Sequence, residues 1–99
     1  MEQFYYRGGK GLTPKRDEMR IDKTTGLVQP TRGISLNVNP AKFAVFGGAY
    51  RVKSIPPELE IVQQGNDPGH FELRPWQPMS QLQYLDLLGK VELEDSPTT

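Results

Sequence analysis

The sequence predicts a compact α+β domain, built mainly on a sheet of five or six short strands, with two short helices. Three observations carry that expectation. Apolar and polar residues alternate with period two in several short stretches, the signature of half-buried strands. Ten glycines and nine prolines in 99 residues interrupt the chain too often for long helices. Helix-start signals occur at two places, Asn39-Pro40 and Ser80.

Taken in order, Gln3–Arg7 is aromatic and reads as a strand, stopped by Gly8-Gly9. Residues 10–29 are charged and aperiodic, with Pro14 and "KTTG" as turn signals, so a long loop with at most one helical turn is expected. A loop of that length in a compact domain is more often functional than idle. "TRGISLNV" reads as the second strand: Ile34, Leu36 and Val38 share one face, Ser35 and Asn37 the other, and Arg32 falls out of step with that polar pair. Asn39 then caps a short helix that has Pro40 at its first position, runs through Phe46 and ends at Gly47-Gly48. "AYRVKSI" alternates cleanly as a third strand and is closed by Pro56-Pro57; "LEIVQ" is a fourth, "GNDPG" a turn, and "HFELRP" a fifth. Ser80 caps the last helix, Ser80–Leu88, with Gln83 completing a capping box and Gly89 as the stop. Leu82, Leu85 and Leu88 are its expected core face, and Trp76, Pro78 and Met79 the structural platform before it.

At 99 residues the chain has room for one core, expected over residues 1–91, with 92–99 a frayed acidic tail. There is no cysteine and one histidine, which excludes a disulfide framework and leaves no ligand set for a structural zinc; no metal is expected. No apolar run approaches membrane-spanning length, and "MEQFYYRGGK" lacks the apolar centre of a signal peptide. The expectation is a protein acting in the cytoplasm without membrane contact, either cytosolic as it stands or a domain delivered by machinery that leaves no such signal. The zero net charge is unevenly spread. Residues 7–32 hold seven basic side chains against Asp17, Glu18 and Asp22, whereas residues 76–99 hold Lys90 against Asp86, Glu92, Glu94 and Asp95. A basic N-terminal third can gather an anionic ligand, or simply be a solvated loop face.

The order of four motifs, "YRGG", "RGISLN", "IPPELEI" and "GHFELRPWQPMS", resembles the small bacterial toxins of the ADP-ribosyltransferase-like fold, type VI secretion effectors among them. The parallel runs through an opening aromatic-Tyr-Arg, a Gly-x-Ser strand, an Ile-Pro-Pro segment and a histidine strand ending in Pro-x-x-Pro-Met. It spans about residues 4–80, with the 10–30 loop poorly matched. The resemblance implies a split sheet gripping NAD in a cleft, with Arg7 binding the cofactor and Ser35 and Glu72 forming the site. His70 matches the histidine of the toxins' closing strand. It further implies a cognate immunity or antitoxin protein covering the cleft, and a macromolecular ADP-ribose acceptor that the motifs do not identify. This chain departs from the arginine-modifying class, having Ile34-Ser35-Leu36 for Ser-Thr-Ser and His70-x-Glu72 for Glu/Gln-x-Glu.

Those residue types suit that chemistry. Breaking the nicotinamide–ribose bond passes through a sugar cation, which a carboxylate such as Glu72 stabilises. Arg7 offers a planar fork for pyrophosphate or ribose oxygens. Ser35 can bond the ribose, and Tyr5, Tyr6 and Tyr50 are candidates to stack on nicotinamide. Each has a structural alternative: Glu72 can pair with Arg74 or Arg51, and the tyrosines can be packing residues. Two other functions remain open from sequence: a metal-independent ribonuclease toxin using His70 with Arg7, Arg51 or Arg74 on a phosphate, and a non-catalytic interaction module. If NAD is cleaved, water is also an available acceptor, which would make the activity that of a glycohydrolase.

Overall fold

The computed structural model describes residues 3–9, 11–46 and 48–96. Six strands form one antiparallel sheet: β1 (Tyr6–Gly8), β2 (Ile34–Asn37), β3 (Ala49–Ser54), β4 (Leu59–Gln63), β5 (His70–Pro75) and β6 (Glu92–Ser96), in the spatial order β4-β5-β2-β1-β3-β6. One α-helix, α1 (Gln81–Gly89), accompanies it, so the fold is mostly β within the α+β class. The helix expected at residues 40–46 is a 3-10 helix, Pro40–Phe46. Asn39 opens it as anticipated, its Oδ1 accepting from the Ala41 N–H at 3.1 Å, but the Lys42 N–H reaches back only three residues, to the Asn39 carbonyl. Seven residues, two of them phenylalanine and one valine, are too few to sustain an α-helix on propensity alone. Gly47 lies outside the described residues, and Gly48 takes φ +123°, a left-handed value suited to a stop.

Register explains the two faces. Ile34 sits opposite Leu73, and Leu73 opposite Ile61, across β2, β5 and β4; Leu36 faces Phe71 beside them. Directly opposed residues share a face. That face is the core, closed by Val28 and Met79 from the loops and by Tyr84, Leu87 and Leu88 from α1. Tyr84 is fully buried, and its hydroxyl donates to the Leu73 carbonyl at 2.9 Å. Burial pushes this phenol well above its ordinary pKa.

Two expectations for the C-terminal third are corrected. In α1 the core face is Tyr84, Leu87 and Leu88, whereas Leu82 is 83% exposed and Leu85 39%. Residues spaced by three slip about 60° around a helix at each step, so Leu82 and Leu88 diverge, while 84, 87 and 88 stay within one stripe. Ser80 does cap the helix, its Oγ accepting from the Gln83 N–H at 3.1 Å. Residues 92–96, expected to fray, pair with β3 through Arg51↔Glu94 and Val52↔Leu93; residues 97–99 of that tail lie outside the described residues.

The long loop is pinned at several points. Val28 forms isolated bridges with Ile21 and with Met79, and the Asp22 carboxylate accepts from both the N–H and the hydroxyl of Thr25, closing the "KTTG" turn. Within it Arg16–Glu18 makes one 3-10 turn, the single turn anticipated there. Among the described residues no helix is long and apolar enough to cross a membrane, and no group of His, Asp and Glu side chains is arranged to hold a metal ion.

Candidate functional site: a split in the sheet

β1 and β2 share a single register pair, Tyr6↔Asn37. Beyond it the strands part, and the Ser35 peptide group finds no β1 backbone partner. Side chains supply what the ladder lacks. The Glu18 carboxylate accepts the Ser35 N–H at 2.8 Å, and Arg7 Nη1 donates to the Ser35 carbonyl at 3.1 Å. Arg7 and Glu18 are themselves joined by two bonds, of 2.7 and 3.1 Å, and Glu18 also accepts the Lys15 N–H at 3.0 Å. The tight turn Arg16–Glu18 is what brings Glu18 into place.

Burial alone would raise the Glu18 pKa, but the Arg7 guanidinium and the backbone N–H groups of Lys15 and Ser35 outweigh it and bring the carboxyl from 4.5 down to about 2. A depressed carboxylate pKa adds stability that is complete above the unfolded-state value and disappears as pH falls through the folded-state value. The fold should therefore lose on the order of 2–3 kcal/mol between about pH 5 and pH 2 through this group. Urea titrations across that range check it, and Glu18→Gln should flatten the slope.

On the sheet face opposite the core, Ser35 lies directly across from Glu72, and Asn37 across from both His70 and Tyr6. Glu72 is 1% exposed and is surrounded by two arginines and a histidine. Its Oε1 accepts from Arg74 Nε at 3.1 Å, its Oε2 from Arg32 Nη1 at 3.2 Å, and His70 Nε2 stands 3.7 Å from Oε2. Arg74 continues to Gln64 Oε1 at 2.7 Å, and Arg32 Nε donates to the Asp17 carbonyl. Nearby, Asp67 ties the turn before β5 to the 3-10 helix: the Lys42 ammonium, then the Gly69 N–H and the Asn37 amide, hold its carboxyl at about 2.

Of the residues singled out from sequence, Ser35, His70, Glu72 and Tyr6 therefore share one face by register. Arg7 and Tyr50 are paired with each other and point to the other face, though the Arg7 guanidinium returns to the split to reach Ser35. Tyr5 turns to the core side, where it meets Phe71 edge-on at 4.9 Å. Glu72 pairs with Arg74, as its structural alternative required, whereas Arg51 pairs with Glu94 instead. Sequence reasoning missed Glu18 and Arg32. Arg32 was out of step with Ser35 only if the strand included it; β2 begins at Ile34, so Arg32 is free to swing onto the polar face.

A cavity of about 240 Å³ opens at the split, lined by Arg7, Gly8, Lys15, Asp17, Glu18, Ser35 and Phe43. Arg7 Nε is buried there and has no hydrogen-bond partner among the described residues. An unspent donor beside a small polar cavity is chemically suited to an oxygen-rich ligand. Comparison of the chain with protein-family models, with curated proteins and with solved structures returns no match.

Proposed function

We propose that the chain is an NAD-consuming toxin of ADP-ribosyltransferase-like fold, which breaks the nicotinamide–ribose bond and passes ADP-ribose to a cytoplasmic target, arresting growth. The observation that carries this reading is the adjacency of β1, β2 and β5: the strands bearing Arg7, Ser35 and Glu72 are neighbours, and β1 parts from β2 beside Ser35. In this reading NAD enters the split. Arg7 and Ser35, which line the cavity at the split, contact its polar groups, and nicotinamide leaves with the bonding electron pair. The sugar cation that remains is stabilised by the Glu72 carboxylate, which Arg32, Arg74 and His70 hold in place. The acceptor then adds its nucleophile and loses a proton; water in that position makes the reaction a hydrolysis. A cognate immunity protein would close the cleft in the producing cell, with an acidic surface against the basic stretch Arg7–Arg32.

The test is to incubate the whole chain with NAD and follow free nicotinamide by chromatography. Release is expected, falling at least tenfold in Ser35→Ala. Glu72→Gln should lower turnover about 100-fold with KM within a few-fold, because the lost charge acts mainly in the transition state. Absence of nicotinamide at high protein concentration rejects the reading. One observation favours a second reading: His70 beside Glu72, with Arg32 and Arg74 on the same carboxylate, also suits phosphodiester cleavage. A labelled RNA substrate, cut without added metal, distinguishes it.

A further inference from the structure

We propose that a second groove, at the N-terminal end of β1, binds a single nucleotide, with its base stacked on Phe4 and its phosphate held by Lys53. This inference is independent of the NAD reading. The groove has a volume of about 500 Å³, twice that of the split, and is within the usual range for small-ligand sites. Its floor is apolar: Tyr5, Val52 and Ile61 are half-buried and pack against the core. Its rim is cationic. Arg51 and Lys53 line it, and among the described residues no acidic side chain does.

Two details favour a planar anion over other ligands. Phe4 is a large aromatic residue left 41% exposed at the rim, and the Arg51 guanidinium lies 4.4 Å from its ring centroid. Guanidinium on one side of a ring and solvent on the other is an arrangement that a nucleobase extends by stacking. Arg51 is engaged by Glu94 through Nη2, whereas Lys53 is exposed and makes no ion pair among the described residues, so it is the rim cation left to meet a phosphate. A zero net charge argues against binding along a nucleic-acid duplex, but one nucleotide phosphate needs only a local cation such as Lys53.

A free nucleoside monophosphate and the end of a single strand share this chemistry, and the experiment separates them. The ¹⁵N-labelled whole chain is titrated with AMP, with inorganic phosphate, and with a single-stranded oligonucleotide carrying a 5′-phosphate. AMP or the oligonucleotide should shift the amides of Phe4, Tyr5 and residues 51–55, while phosphate alone at equal concentration should not. Phe4→Ala and Lys53→Gln, both at exposed positions, should each weaken binding about tenfold or more. Saturation by AMP identifies a free nucleotide as the ligand; saturation by the oligonucleotide alone identifies a strand end. No shift with either, shifts confined to the Arg7–Ser35 split, or unchanged affinity in Phe4→Ala would each overturn the proposal. Nicotinamide release is read in a separate assay, so either reading can fail without the other.

Discussion

Gly33→Ala should destabilise the fold by about 3 kcal/mol or more, lowering Tm by at least about 12 °C. A β-carbon at this position would stand 2.1 Å from the Leu73 carbonyl oxygen and 2.6 Å from its carbon. Both are backbone atoms of β5, so no rotamer change relieves the clash; the strands must move apart just where Ile34 and Leu73 face each other. A loss of this size is a large part of the margin of a small domain. Gly89→Ala is the control. That residue ends α1 with nothing within 4 Å of the added carbon and no positive φ, so alanine should be neutral or stabilise by about 0.5–1 kcal/mol. Circular-dichroism melts of both variants check the contrast. Equal Tm values would mean that β2 does not approach β5 so closely.

Glu18→Ala is expected to cost about 3–5 kcal/mol, because it leaves the Arg7 guanidinium charged and buried without its counter-ion. For an ordinary buried ion pair, replacing both partners by apolar residues of similar size often restores stability. Here it should not. The Glu18 carboxylate also accepts the N–H of Ser35, and Arg7 serves the Ser35 carbonyl, so the double variant Arg7→Met/Glu18→Leu still strands two polar groups of β2. Denaturant titrations of the two single variants and the double complete the cycle. Full recovery in the double variant would show that the pair is dispensable and that the backbone of the split is satisfied by other means.

Much of the fold was legible because its signals are local. Period-two alternation marks β3 and β5, β4 and β5 are matched at both ends, and Ser80 marks the start of α1. What escaped depends on distant partners. Glu18 sits in a charged, aperiodic run, and nothing in its neighbours announces that it repairs a gap between strands beginning at residues 6 and 34. β6 carries alternating acidic residues that resemble a solvated tail, until Arg51 on β3 supplies an opposite charge. Leu82 and Leu85 have the composition of a core but the wrong angular position. For the candidate site, His70 and Glu72 were placed on one side of a strand correctly, since alternation alone decides that. Arg7 could not be placed relative to Ser35 without the register Tyr6↔Asn37.

The strand order β4-β5-β2-β1-β3-β6 also bears on how quickly the sheet assembles. Only β4 and β5 form a hairpin of near neighbours, joining residues 59–63 to residues 71–75 across a short turn. The central pairings are remote: Ile34 with Leu73, Tyr6 with Asn37, and Tyr6 with Arg51. Each requires a long segment to close before any contact repays the entropy lost. Refolding on the millisecond-to-second scale is the corresponding regime, with the β4–β5 hairpin as the natural nucleus and β1 among the last strands to dock. Until β1 docks, the inner edges of β2 and β3 lie open to pairing with other chains, so refolding yield should fall as protein concentration rises.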